Sequence, residues 1–184
     1  NSGEMNMTVQ ALEQAIGRKI TENDIELEGW LMHVAGQSVS GADFSASLAS
    51  WDTVAAQMAK LHETYDFYIT PATADVAPKI GQLEVPDEKN EEYLKKIHEG
   101  TKEDKLQLVY DMFLPSLTYT PFGMLANLTG QPAMSLPVYV SDEGLPLGVQ
   151  VIASKGEEHR LLQLAHQLEQ TDIWIGMKGN PYFS

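Results

Sequence analysis

Five histidines are the side chains best suited to proton transfer or metal chemistry here: His33, His62, His98, His159 and His166. No pair stands four residues apart, and no His-Glu-x-x-His run sets two imidazoles on one helical turn. His159 and His166 fit one helix face, but no acidic ligand joins them at a useful step. No metal site is expected, and exposed helix histidines are the simpler reading. Gly36-Gln37-Ser38-Val39-Ser40-Gly41 looks like a nucleophile elbow at first sight. It fails because its fifth position is Ser40 and no strand precedes it. A helix-to-helix turn with a serine cap explains it better. There is no Gly-x4-Gly-Lys phosphate loop. Cysteine is absent, which excludes disulfides, thiolate ligands and a cysteine nucleophile within the chain. The acidic run from Pro86-Asp87-Glu88 to Glu91-Glu92 reads as a solvated helix start, favoured by the helix dipole. No cofactor is implied, and no catalytic residue stands out.

The elements that would position any site are those of an ordinary globular chain. The 184 residues are 43% hydrophobic and 21% charged, enough to bury a sizeable core. Acids outnumber bases 26 to 12, for a formal net charge of −14. A surface this negative repels phosphate backbones and anionic lipids, so neither nucleic acid nor a membrane is an expected partner. No apolar run approaches the roughly 18 residues of a membrane span. Together with the missing cysteines, this fits a cytoplasmic location. The start, Asn1-Ser2-Gly3-Glu4-Met5, has no basic or apolar leader segment. It reads as a piece cut from a longer chain.

Val9, Leu12 and Ile16 share a helical face, and Gly17 suits its stop. Thr21 and Asp24 resemble a capping box ahead of a short helix carrying Ile25, Leu27, Leu31 and Val34. Ser40 and Asp43 repeat that pattern. Phe44, Leu48, Trp51, Ala55, Met58 and Leu61 then give the strongest periodicity, predicting a helix over about 41–64. Residues 65–71 read as a buried strand stopped by Pro71, and 71–90 as a long irregular loop. Helices are expected over 91–99 and 104–114, the second capped by Thr101 and closed by Pro115. Pro121 suits a first helical turn and Gly130 a C-terminal stop. Residues 133–140 and 146–153 should pair as a hairpin about Asp142-Glu143-Gly144, and a last helix follows Gly156.

Several short motifs stand in a fixed order. They are Tyr65-Asp66 through Thr70-Pro71-Ala72, Thr120-Pro121-Phe122, Asn127-Leu128-Thr129-Gly130-Gln131-Pro132-Ala133, Ser135-Leu136-Pro137 and Gly144-Leu145-Pro146-Leu147-Gly148-Val149-Gln150. This ordered set resembles the C-terminal part of the amidase signature family. The Gly17-Arg18-Lys19 start and the Trp174 tail are most similar to the branch that includes the cyclic nylon-oligomer hydrolases. The resemblance covers nearly the whole chain from about residue 10.

That resemblance implies an α/β fold, the C-terminal part of the amidase signature fold, with a mixed β-sheet flanked by helices. Residues 1–184 would form a single C-terminal fragment. It also implies a serine amidase using a Ser–cis-Ser–Lys triad, with backbone N–H groups of a Gly/Ser-rich loop holding the oxyanion. In the family, that loop and the lysine lie in the N-terminal part. This chain has no adjacent serine pair, no Gly-Gly-Ser-Ser-Gly stretch, and none of its ten lysines in a matching motif. No catalytic residue is therefore carried over, and the chain alone is expected to be inactive. By resemblance, Thr70, Thr120, Phe122, Asn127 and Gln131 are candidates for a substrate-pocket wall. Asn127 bracing its own turn, and Gln131-Pro132 setting up the next strand, are the structural alternatives. The expected partners are a small-molecule amide, met by the full-length protein, and a second copy of the chain as a homodimer. Three readings stay open: a stand-alone amidase, the A subunit of a glutamine-dependent tRNA amidotransferase, and a non-enzymatic interaction module.

Overall fold

The computed structural model describes residues 1–176, and it resolves them into two compact units. The first comprises residues 1–48 and 80–116, the second 49–79 and the chain from 117 onward.

The first unit is helical. Helices α1 (Ser2–Ile16), α2 (Leu27–Gly36), α4 (Asn90–Glu99) and most of α5 (Lys102–Tyr119) belong to it, with the start of α3 (Gly41–His62). Gly17 ends α1 in the left-handed region, φ 72°, as its position after Ile16 predicts. The Ser40–Asp43 pair is a true capping box. Ser40 N–H donates to Asp43 Oδ2 at 2.9 Å, and Asp43 N–H donates to Ser40 Oγ at 3.1 Å. Thr101 and Asp104 do the same for α5, at 3.0 and 3.2 Å.

Two expectations need correction. Thr21 N–H does donate to Asp24 Oδ2, at 2.8 Å, but the box closes only a turn, and α2 begins at Leu27. Arg18 grips the same carboxylate with two N–H groups, at 2.6 and 2.9 Å, which holds Asp24 well below the usual carboxylate range. Asp24 is thus committed to the Arg18 fork and to the turn. Pro115 does not close α5 either: it lies inside the helix, which continues to Tyr119. A mid-helix proline forfeits one backbone hydrogen bond and crowds the preceding turn. The last turn is held from outside the helix. Ala74 N–H donates to the Tyr119 carbonyl at 2.7 Å, and Tyr119 Oη lies 2.7 Å from the Val76 carbonyl and 2.9 Å from that of Asp75.

The core of the first unit gathers Leu31, Val34 and Ala35 of α2 with Ile97 of α4 and Leu108, Val109 and Met112 of α5. Gly36 lets α1 lie directly on α2, because a Cβ there would collide with the Ser2 carbonyl. The periodic face of α3 is only partly used: Met58 is buried, while Phe44 and Leu48 stay exposed. Leu12 and Ile16 of α1 are likewise exposed.

A polar residue of α2 is also buried. His33 is 5% exposed. Its Nε2 lies 3.0 Å from Gln37 Nε2, a donor, so the ring accepts there and is neutral. Its Nδ1 has no partner among the described residues. Burial lowers the His33 pKa; Glu13 opposes the shift and Lys19 adds to it. Between its folded value and the ordinary ~6.5, the unfolded chain binds the extra proton. Stability is therefore full above that window and declines as pH falls through it. A urea midpoint that drops between pH 7.5 and 5.5, and flattens in His33→Gln, is the expected result. An equal slope in both proteins would contradict it.

The second unit is built on a sheet. Strands β1 (Phe67–Pro71), β2 (Ala133–Val140) and β3 (Pro146–Ala153) stand in the order β1-β3-β2, antiparallel throughout. The expected hairpin is present. Gly144 turns it at φ 81°, with its N–H on the Ser141 carbonyl at 2.9 Å. The β2 register shifts between Leu136 and Tyr139, around Pro137, which has no N–H to give the ladder. Leu136, Val151 and Ala153 pack with Leu161 of helix α7 (Glu158–Glu169) to form this unit's core, flanked by Phe67, Met134, Val149 and Leu164. Residues 72–86 are irregular, as expected, and one short 3-10 turn follows at Asp87–Lys89. The tail beyond Gly176 lies outside the described residues.

Helix α6 (Gly123–Thr129) ends on Gly130 at φ 68°, ψ 31°. The Gly130 and Gln131 N–H groups both donate to the Ala126 carbonyl, at 2.8 and 3.2 Å. An L side chain is strained in this region, so Gly130→Ala should cost about 1 kcal/mol or more. Chemical denaturation checks it, and a neutral variant would show that the backbone relaxes.

Candidate functional site

Every candidate pocket residue falls in the second unit, around the end of β1 and the 119–132 segment. Thr70 lies near the end of β1 and is buried, 6% exposed. Alternation along β1 sets Phe67 and Ile69 on one face and Tyr68 and Thr70 on the other. Phe67 packs in the cluster against α7, so Thr70 faces the opposite side of the sheet.

Thr120 and Phe122 bracket Pro121 between the end of α5 and the start of α6, and both are half-buried. The Phe122 carbonyl accepts the Leu125 N–H at 3.2 Å, within the first turn of α6. Asn127 lies on α6 and is exposed, and it makes no side-chain hydrogen bond among the described residues. Gln131 is different. Its Nε2 donates to the Ala153 carbonyl at 3.1 Å, which leaves its Oε1 facing the Thr129 hydroxyl at 2.9 Å. Thr129 is almost fully buried. Gln131 therefore ties the end of α6 to the end of β3.

The structure brings Thr70 and Phe122 together through a residue that was not among the candidates. Gln150 Nε2 lies 3.4 Å from Thr70 Oγ1 and 3.3 Å from the Phe122 carbonyl. Gln150 stands opposite Thr70 on β1 and opposite Ser135 on β2, so the three form one polar row across the sheet. Two residues along β3, Gly148 leaves space in this face. A Cβ there would stand 2.5 Å from Ser135 Oγ and 3.4 Å from Ala72 Cβ. In sequence, Gln150 and Ser135 look like ordinary outward polar positions of half-buried strands. The available signal was their shared parity with Thr70, which needs the strand register to be read.

Among the described residues, no three His, Cys, Asp or Glu side chains gather as a metal site, and no helix is long and apolar enough to cross a membrane. The unit offers acceptors, donors and an aromatic edge along a wall. Cleaving an amide needs a nucleophile and oxyanion donors besides groups that orient the substrate.

Residues 25–162 match the family model described as Amidase. The chain is 37% identical over 159 residues to a lipoamidase of Enterococcus faecalis, covering 85% of this chain and 21% of that protein. It is 32% identical over 166 residues to a 6-aminohexanoate-cyclic-dimer hydrolase of Paenarthrobacter ureafaciens, covering 90% of this chain and 31% of the relative. A solved structure of 6-aminohexanoate cyclic dimer hydrolase complexed with substrate superposes with a TM-score of 0.75 at 30% identity, over 91% of this chain and 32% of that one. The chain thus spans between a fifth and a third of the length of these relatives. With the ordered motifs seated on the same α/β framework, this chain belongs to the amidase signature family.

Proposed function

We propose that this chain is the C-terminal part of a serine amidase that hydrolyses a carboxylic amide to a carboxylate and ammonia or an amine. The observation that supports it most is the family match over residues 25–162. In this reading the chain supplies scaffold and pocket wall. Thr120, Phe122 and Asn127 line the wall, while Thr70 and Gln131 act from behind it, through the Gln150 contact and the brace to Ala153. The nucleophile, its base and the oxyanion donors belong to the family's other part. The amide carbonyl is attacked by a serine whose proton passes through a second serine to a lysine. The tetrahedral oxyanion is then held by backbone N–H groups.

The full-length protein carrying this chain, assayed on a simple anilide and an aliphatic amide, should release aniline and ammonia. Small or linear amides should be preferred. Inactivity on a broad amide panel would overturn this reading in favour of an amidotransferase subunit or an interaction module.

A further inference from the structure

We infer that Gln150 is a positioning residue that fixes the Thr120-Pro121-Phe122 wall. Its consequence for catalysis rests on the amidase reading above; its consequence for the loop does not. The side chain rises from β3, the central strand, whose neighbours pair with it on both sides. It is therefore anchored to the best-supported backbone of the unit. Residues 147–153 alternate, and Val149, Val151 and Ala153 join the cluster against α7. Gln150 consequently points to the opposite face, where Thr70 and the 119–125 segment lie.

The chemistry fixes the orientation of the carboxamide. A carbonyl cannot donate, so the atom facing Phe122 O must be the nitrogen. One Nε2 proton then serves the Phe122 carbonyl and the other Thr70 Oγ1. Oε1 remains without a hydrogen-bond partner among the described residues. The segment is thus tied at both of its ends. At one end Tyr119 is tied to Ala74, Asp75 and Val76 through its carbonyl and its phenol. At the other, Phe122 is held by Gln150. Thr120 and Pro121 lie between these two ends, and the Leu125 N–H donates to the same Phe122 carbonyl in the first turn of α6. Gln150 alone among these ties reaches the segment from the sheet by a side chain that carries two donors. A pocket wall displaced by about 1 Å loses much of its value for orienting a substrate.

Two variants test this in the full-length protein. Gln150→Leu keeps the approximate volume and removes both donors. Gln150→Glu places a carboxyl oxygen against the Phe122 carbonyl. When ionised it repels that carbonyl, and when protonated it can donate to it again. Hydrogen exchange should quicken several-fold in a peptide covering 119–126 of Gln150→Leu, with 146–153 as protected as in the wild type. On the anilide, kcat/KM should fall roughly ten- to hundred-fold in Gln150→Leu. Gln150→Glu should show the same loss at pH 8 and recover toward pH 5.5, a limb that the wild-type profile lacks.

Unchanged exchange at 119–126 would overturn the inference. So would acceleration spread over the whole sheet, which marks a merely structural role, or a Gln150→Glu profile parallel to the wild type. If the wild-type protein cleaves no amide, the amidase reading fails by itself. The exchange result then decides Gln150: local acceleration upholds the positioning role, and its absence refutes it.

Discussion

Purified on its own, the 184-residue chain should hydrolyse neither an anilide nor an aliphatic amide, while the full-length protein turns over both. The difference expected is complete, because the proposal places the reacting groups in the family's other part. Amide hydrolysis needs a nucleophile, a base within about 3 Å of it, and donors aimed at the developing oxyanion. No two serines of this chain are adjacent, and in the 36–41 turn the Ser38 and Ser40 hydroxyls donate to the Ala35 carbonyl and to Asp43 Oδ2. His33 is buried and has its Nε2 engaged with Gln37. His62 has its Nδ1 on the Tyr65 carbonyl at 3.0 Å. Neither ring has a serine hydroxyl as a hydrogen-bond partner. The two forms should be assayed side by side at equal concentration. Turnover by the isolated chain, abolished by replacing one of its own serines, would place the chemistry in this part after all.

Leu31→Ala should remove about 3 kcal/mol of stability. Leu31 is fully buried at the centre of the helical cluster, where α2 meets α4 and α5. Truncation deletes buried methyl groups and leaves a cavity that three packed helices can close only in part. Against a total stability of some 5–15 kcal/mol, such a loss is large. Leu162→Ala is the control. Leu162 is 70% exposed on α7, so its truncation should shift stability by less than about 0.5 kcal/mol. Urea denaturation of the two variants, compared through midpoint and slope, decides it. A Leu31→Ala loss under 1 kcal/mol would mean that the α2–α4–α5 core is looser than its burial implies.

Much of the fold was decided locally, and so was legible in sequence. The Ser40–Asp43 and Thr101–Asp104 boxes, the glycine stops at 17 and 130, and the 133–140 and 146–153 hairpin each depend on residues a few positions apart. Cap chemistry and backbone conformation act over that range whatever the rest of the chain does. The ordered Thr-Pro, Asn-x-Thr-Gly-Gln-Pro and Gly-x-x-x-Gly-x-Gln motifs were equally local, and they pointed to the family from short-range pattern alone.

Tertiary structure decided the rest. α5 runs through Pro115, and Tyr119 at its end is held by residues 74–76, more than 40 positions away in the chain. The Thr21–Asp24 pair, with Arg18 on the same carboxylate, closes a turn, and α2 starts only at Leu27. The strongest helical periodicity, over 44–61, leaves Phe44 and Leu48 exposed, because an amphipathic pattern states which face is apolar and says nothing of what covers it. Gln150 shows the limit most plainly. Its neighbours in sequence describe an alternating strand; only the register of β3 against β1 and β2 places its two donors on Thr70 and Phe122. Thr70 lies 80 residues away in the chain and Phe122 lies 28 away, distances that a pattern of period two cannot span.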